Sequence, residues 1–283
     1  MSVLRGAEGW LEKRGVESPK RSAELLLGHV LGLDRLQLYL EHDRPLVEEE
    51  RGSMRALLVR RGDGEPVAHL LGSWQFRSLE LEVGPAVLIP RPETEELVDV
   101  VHECLGDAAA EPLLGADLGC GSGAIAIALA SECPGLRMVA IDQSKNALHV
   151  ARTNVSANDL ADRVDLVHSD WWQSVAAEPH FDFVVSNPPY IDPGKPDGLA
   201  EDVQRFEPPL ALYSAKGDPA SCYREIAAGL EAHLKPGGWF VAETGLGASD
   251  AALAVLQGCS FLQDAELRDD LGGHPRFVLA RRA

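Results

Sequence analysis

Ala116-Asp117-Leu118-Gly119-Cys120-Gly121-Ser122-Gly123-Ala124 closes one apolar run and opens another, with glycine at every second position of the turn between them. The run ending at Leu118 reads as a strand and the run from Ala124 as a helix. Glycine lets the backbone turn sharply and lets a ligand approach without a Cβ in the way. The helix that follows points its positive end at that ligand. Because Gly119-x-Gly121-x-x-Ala124 also satisfies the loose dinucleotide fingerprint, the turn alone specifies a nucleotide-like ligand and no more. Working outward, the apolar segments Gly115–Leu118, Met138–Ile141, Val164–His168, Phe181–Ser186, Trp239–Glu243 and Phe277–Ala280 alternate with helical stretches. That alternation predicts βαβ units, and so an α/β Rossmann-like fold: a mainly parallel sheet with helices on both faces, over residues 85–283.

Upstream the pattern changes. Ser18-Pro19 reads as an N-cap with proline at the first helical position, opening a helix that ends at Gly32. Asp34 opens a short helix, and a third is predicted from Pro45 to Arg61, stopping at Gly62-Asp63-Gly64. Residues 1–73 are thus expected to form a small helical bundle, serving either as structural support or as a partner-recognition domain. Residues 74–84, with Phe76, Leu79, Leu81 and Val83 at apolar positions, predict a linking β-hairpin. Ala86–Ile89 reads as strand-like, turning at Pro90 and Pro92 into a helix from Glu95.

Composition narrows the class. The chain has 283 residues, 45% of them hydrophobic and 25% charged, as in an ordinary globular protein. No run approaches the roughly 18–20 apolar residues that cross a membrane, and the first residues show no secretory signal. Five scattered cysteines without a C-x-x-C pair suit reduced thiols in a cytoplasmic protein, with no disulfide framework and no metal site. The net charge of −18 works against gripping nucleic acid, whose affinity comes from neutralising phosphates. An acidic chain fits a basic protein partner better than nucleic acid, a solvated acidic surface being the plainer alternative, and a monomer is the expectation.

Four sites carry the chemistry. With Asp117 directly before the glycines, the turn resembles motif I of class I methyltransferases, which implicates Asp117, Gly119, Cys120, Gly121, Ser122 and Gly123 in holding S-adenosylmethionine. Asp142, 23 residues past Gly119, stands at the tip of the next strand, placed to accept two ribose hydroxyls or, as the plainer alternative, to cap the next helix. In Ser169-Asp170-Trp171-Trp172, Asp170 and Trp171 would bind and cover an adenine ring, although at least one tryptophan is expected only to pack. The fourth site is Asn187-Pro188-Pro189-Tyr190, after the Phe181–Ser186 strand. Two prolines stiffen the loop and remove two backbone donors, leaving carbonyl oxygens to face a site. An NH2 group donating to the Asn187 side-chain oxygen and the Pro188 carbonyl is held with its nitrogen toward a methyl donor, and Tyr190 can stack on its flat face.

With these motifs in order, nearly the whole chain resembles the peptide-chain release factor glutamine methyltransferases, the PrmC/HemK family. The resemblance runs through Gly64-Glu65-Pro66-Val67-Ala68-His69-Leu70-Leu71-Gly72, Phe76 and Leu88-Ile89-Pro90-Arg91-Pro92-Glu93-Thr94-Glu95. It continues through the four sites to Arg205-Phe206-Glu207-Pro208 and Lys235-Pro236-Gly237-Gly238. It implies methylation, from S-adenosylmethionine, of the side-chain nitrogen of the glutamine in the Gly-Gly-Gln loop of class I release factors. Asn187 to Tyr190 would hold that glutamine, with Asn187 also against the cofactor, and Phe76, Arg91 and Glu93 are further candidates for the acceptor pocket, Glu93 being equally suited to an ion pair or helix cap. Cys120 and Ser122 depart from the threonines frequent at those turn positions. Because adenine-N6 DNA methyltransferases share the Asn-Pro-Pro-Tyr loop, an enzyme acting on adenine N6 or guanine N2 of nucleic acid is the competing reading. A non-catalytic binding module is the third, and the intact loop speaks against it.

Overall fold

The computed structural model describes residues 2–41, 43–107, 111–178, 180–195, 199–245 and 247–283. They cluster into two units, Met1–Ser73 with Leu199–Phe206, and Trp74–Gly198 with Glu207–Ala283.

The first unit carries α1 (Ser2–Glu12), α2 (Pro19–Leu31), α3 (Arg35–Leu40), α4 (Glu48–Gly62) and α5 (Val67–Leu71). Its core gathers Ala7 and Leu11 of α1, Ala23 and Leu26 of α2, Met54 of α4 and Leu70 of α5. Local chemistry sets the helix ends. Asp34 accepts from the Gln37 amide at 2.8 Å while the Gln37 side chain accepts from the Asp34 amide at 2.8 Å, a reciprocal cap for α3. Ser18 does not cap α2. Its backbone is left-handed (φ 49°) and its side chain makes no cap bond, so Pro19 at the first helical position, with φ preset by its ring, marks the start instead. Two further differences from expectation are that α4 begins at Glu48, three residues past Pro45, and that α1 is an additional helix.

The second unit opens with the hairpin β1 (Ser73–Phe76) and β2 (Leu79–Glu82), followed by α6 (Pro92–Leu105), β3 (Leu113–Leu118), α7 (Ala124–Glu132), β4 (Leu136–Asp142), α8 (Lys145–Ala157), β5 (Val164–His168) and β6 (Phe181–Ser186). After β6 come α9 (Glu201–Phe206), whose residues cluster with the first unit, then α10 (Pro209–Leu212), α11 (Ser221–His233), β7 (Leu234–Glu243), α12 (Ser249–Gln257), β8 (Leu262–Asp269) and β9 (Pro275–Arg282). The segment 86–89 is not a strand, and α6 starts at Pro92 rather than Glu95. Strand β8 has no counterpart in the sequence reading. Its segment Leu-Gln-Asp-Ala-Glu-Leu-Arg-Asp lies at the sheet edge, where polar side chains are tolerated.

Seven strands form one sheet in the order β5-β4-β3-β6-β7-β9-β8, parallel from β5 to β7 and antiparallel at β9 and β8. The chain works outward in one direction from β3 to β5, then returns to place β6 on the other side of β3. Strand order therefore reverses between β3 and β6, and open α/β sheets bind ligands outside the strand carboxyl ends at that reversal. Gly115 makes the β3–β6 pairing possible, since a Cβ there would lie 2.3 Å from the Phe183 ring and 2.7 Å from Met138 Sδ. Two apolar layers cover the sheet. One contains α6 and α7 with Leu97, Val101, Ile127 and Leu129; the other contains α11 and α12 with Tyr223, Ile226, Leu230 and Leu256. Among the described residues no helix is long and apolar enough to cross a membrane.

Phe76 corrects a sequence expectation. Its side chain is 0% exposed and lies in the α6–α7 core layer with Leu79 and Leu81, so it offers no surface to a substrate. We expect Phe76→Ala to cost about 3–5 kcal/mol of stability, the usual range for emptying a buried phenylalanine site. Urea unfolding checks this; a variant that keeps its midpoint but loses acceptor affinity would restore the binding role.

Candidate functional site

The parallel registers bring the carboxyl ends of four strands to one edge. Leu118 pairs with Ile141 and with Ser186, and Ser186 pairs with Ala242. Consequently Gly119, Asp142, Asn187 and Glu243, each the next residue along, stand at the same level. The Ser186 hydroxyl ties the central pair by donating to the Leu118 carbonyl at 2.6 Å.

A cleft opens over this edge, with about 1010 Å³ of space including its open mouth. Of the residues named from sequence, Gly119, Cys120, Gly121, Ser122, Asp142, Trp171, Asn187 and Pro189 line it. Gly119, Gly121 and Gly123 all take left-handed backbone (φ 73°, 54° and 82°), which side-chain-bearing residues adopt only with strain, so the alternation of glycines has a conformational cause. Gly123 precedes the first residue of α7 without lining the cleft.

Asp142 faces the cleft from the end of β4. One oxygen accepts from the Gly121 amide at 2.9 Å and the other from the Ser144 amide at 2.8 Å. Each carboxylate oxygen can accept a second bond, so the group is oriented yet still able to receive hydroxyls. Burial raises its pKa, opposed by those two amides and by His168. Asp117 lies one layer below and is 0% exposed. One of its oxygens accepts from the Ala126 amide at 3.2 Å while the other, Oδ1, is buried without a partner. Burial first, and the Asp142 charge second, push its carboxyl up to about 7 against that one bond. Cys120 is likewise a buried thiol with its pKa raised by burial.

The two tryptophans divide their roles. The Trp171 ring lies over Gly119, with backbone φ of 43°, and its indole N–H donates to Glu225 at 2.6 Å. Trp172 is a packing residue: it stacks on His233 at 4.4 Å, and a Cβ on Gly229 would lie 2.2 Å from its ring. Asp170 is exposed, accepts from Gln173 at 3.0 Å and does not line the cleft.

Across the cleft, Asn187 is held from behind. Its Nδ2 donates to Thr94 Oγ1 at 3.2 Å, and Thr94 Oγ1 donates to Glu243 at 2.7 Å. Thr94 lines the cleft; Glu243 is 2% exposed. Burial pushes the Glu243 carboxyl up to about 7, with Thr94, Arg276 and Asn187 opposing and Glu93 adding to the rise. Neither residue was singled out from sequence. Pro188 is buried and Tyr190 half-buried, its ring so close to Gly245 that a Cβ there would lie 2.2 Å away. Desolvation raises the Tyr190 pKa to about 12, so its hydroxyl stays protonated.

Arg91 and Glu93 do not line the cleft. Arg91 pairs instead with buried Glu207 at 2.5 Å, and Glu207 also accepts from the Ile89 amide at 3.1 Å. That clip joins the 86–90 segment to the 208–211 segment, both of which wall the cleft. Glu207, too, escaped the sequence reading as a site residue.

Known proteins match the chain along most of its length. A model of the PrmC N-terminal domain matches residues 2–72, and a model of the methyltransferase small domain matches residues 98–203. The chain is 36% identical over 287 residues to a protein of Rhodopirellula baltica named release factor glutamine methyltransferase, covering 100% of this chain and 96% of that one. A protein of the same name from Chlorobaculum tepidum is 40% identical over 277 residues, covering 95% and 92%. Among solved structures, the catalytic domain of hMettl16 in complex with a MAT2A 3′UTR hairpin superposes with a TM-score of 0.54 at 15% identity, over 81% of this chain and 80% of that one, which shows the shared fold.

The buried carboxylates set a pH dependence of stability. An unfolded aspartate releases its proton near pH 4, whereas folded Asp117 keeps it to about 7. Between these values the folded state holds the extra proton, so stability falls as pH rises through that window. Glu243 contributes with the same sign. We expect Asp117→Asn to make the loss between about pH 4 and about pH 7 shallower without abolishing it. Urea midpoints across the window test this, and an unchanged slope would remove Asp117 as a source.

Proposed function

The chain belongs to the release factor glutamine methyltransferases, and on that footing we propose how its cleft performs the reaction. The enzyme transfers a methyl group from S-adenosylmethionine to the side-chain amide nitrogen of the glutamine in the Gly-Gly-Gln loop of class I peptide-chain release factors.

S-adenosylmethionine, when bound, supplies an electrophilic methyl group on a sulfonium. The residues present suit it. Asp142 has acceptor capacity for two ribose hydroxyls, the left-handed glycines keep Cβ atoms out of its way, and the Trp171 ring offers a flat apolar face. Asp117 and Gly123 shape the turn from behind, and exposed Asp170 stands beside Trp171.

The observation that carries the acceptor reading is the orientation of Asn187. Its Nδ2 is engaged by Thr94, so its Oδ1 is the end left to receive an N–H in the cleft. An amide nitrogen is a poor nucleophile because its lone pair is delocalised into the carbonyl. Holding its two N–H bonds on the Asn187 oxygen and the Pro188 carbonyl aligns the nitrogen and shifts electron density onto it, and positioning of this kind accelerates a transfer without covalent catalysis. Pro189 and Tyr190 offer flat surfaces for the amide plane. Arg91 acts by holding the wall through Glu207, and Glu93 acts through its charge near Glu243. The helical unit, with Leu36 at 68% and Leu40 at 71% exposure on α3, offers apolar surface for the protein substrate.

The test uses methyl-labelled S-adenosylmethionine with three acceptors: a class I release factor, its Gly-Gly-Gln variant with Gln→Ala, and unmethylated duplex DNA. Label on the wild-type factor alone is expected; label on DNA alone would transfer the assignment to nucleic acid. Asn187→Ala should lower the rate about 100-fold or more, as loss of one preorganised polar contact does, and an undiminished rate would sink its role. Tyr190→Ala should weaken acceptor use more than cofactor binding; equal loss of both would leave it a packing residue.

A further inference from the structure

We propose that Thr94 and Glu243 are positioning residues that fix the polarity of the Asn187 side chain, so that its oxygen and not its NH2 faces the cleft. This rests on the methyl-transfer reading above and deepens it.

The two ends of an asparagine amide are nearly the same size and opposite in function, one an acceptor and the other a donor. Shape alone therefore does not decide which end enters the cleft, yet an incoming NH2 group meets a partner only if the oxygen does. The hydrogen-bond chain decides it. A threonine hydroxyl has a single proton, and Thr94 gives it to Glu243 at 2.7 Å. Only lone pairs remain on Thr94 Oγ1, so Asn187 must present its NH2, as it does at 3.2 Å. The direction comes from Glu243, because an ionised carboxylate can only accept, and Glu243 is hydrogen-bonded to the Asn187 side chain as well as to Thr94.

The backbone at Glu243 is anchored and its side chain is buried. Its backbone carbonyl accepts from the Tyr223 hydroxyl of α11 at 2.7 Å, and it is 2% exposed. The charged and titratable groups around it are Glu93 of α6, which raises its proton affinity, and Arg276 of β9, which lowers it. The Tyr190 and Tyr223 hydroxyls complete the set, both remaining protonated. The balance lets Glu243 change protonation near neutrality. Once protonated, the carboxylic acid can donate to Thr94 Oγ1, and the Thr94 proton is then free to point at Asn187. The amide turns over to accept it and places its NH2 in the cleft, donor against donor. Turnover should therefore fall as pH drops through the titration of Glu243. A network serving only to satisfy buried polar atoms would tolerate either direction and show no such dependence.

The experiment compares wild type, Thr94→Val, Thr94→Ser and Glu243→Gln over about pH 6 to about pH 9, measuring kcat, acceptor KM and the cofactor Kd by calorimetry. Expected is a loss of about tenfold or more in kcat for Thr94→Val with the cofactor Kd within about twofold. Thr94→Ser should regain most of that loss, and the acid limb of the wild-type profile should flatten in Glu243→Gln. A second readout needs no acceptor. The Asn187 side-chain NH2 pair in a 15N spectrum, assigned by its disappearance in Asn187→Ser, should shift between about pH 6 and about pH 8 in wild type but not in Glu243→Gln. A stationary pair in wild type, or a Thr94→Val enzyme with wild-type kcat, overturns the proposal. Should the wild type label no release factor, the glutamine reading fails while the NH2 signal still decides the relay.

Discussion

Parallel pairing of β3 with β6 is the constraint on which the site depends. In the register Leu118 to Ser186 it sets the glycine turn beside the Asn-Pro-Pro-Tyr loop, and a slip of one residue would turn every side chain of β6 to the other face. That register has a steric lock, because Phe183 and Met138 occupy the space a Cβ on Gly115 would need. It also has a polar lock in the Ser186 hydroxyl on the Leu118 carbonyl. Neither contact touches the cleft, yet both determine which residues meet in it.

The same edge concentrates electrostatic cost. Asp117 and Glu243 are carboxylates buried almost completely, and burial raises the proton affinity of both to near neutrality. Stability alone would favour apolar residues at such positions. Their retention makes sense as orientation. Asp117 accepts from the first turn of α7 and so holds the turn against the helix, while Glu243 is the acceptor-only end of the Thr94–Asn187 chain. Departures from the usual rule that carboxylates stay wet gather at the functional edge, which is where strain and unfavourable charge are tolerated when they serve geometry.

How much was legible in the sequence follows from the range of each signal. Alternate glycines, the double proline and the acid at the tip of β4 are local patterns whose physical consequence can be read from neighbours in the chain. The Thr94–Glu243 bond joins residues 149 apart, and Glu207 reaches Ile89 across 118. One threonine and two acids at those positions look like any helix start or strand end until the fold brings them together. Phe76 shows the converse error: its place in a resembling motif suggested contact with substrate, whereas the alternation of β2, buried at Leu79 and Leu81 and exposed at Glu80 and Glu82, already pointed the hairpin's apolar face inward. Ala86–Ile89 was read as a strand because it is apolar, but its apolar character wraps a cleft wall held by the Glu207 clip rather than a sheet ladder. Strand β8 was missed for the opposite reason, since an edge strand need not be apolar.

The Asn-Pro-Pro sequence gains a fuller meaning from the relay behind it. A backbone N–H at position 188 or 189 would be a donor beside an acceptor group that is itself a donor, and proline removes it at both places. The Asn187 NH2 is a further donor in that loop, and Thr94 engages it. Prolines and relay thus solve one problem at two scales. The backbone is stripped of donors by covalent structure, and the side chain is stripped of its donor by a hydrogen bond whose direction is set by a buried charge. On the proposed reading, what this loop turns toward the cleft is oxygen, and an NH2 group is the chemistry that such oxygens receive.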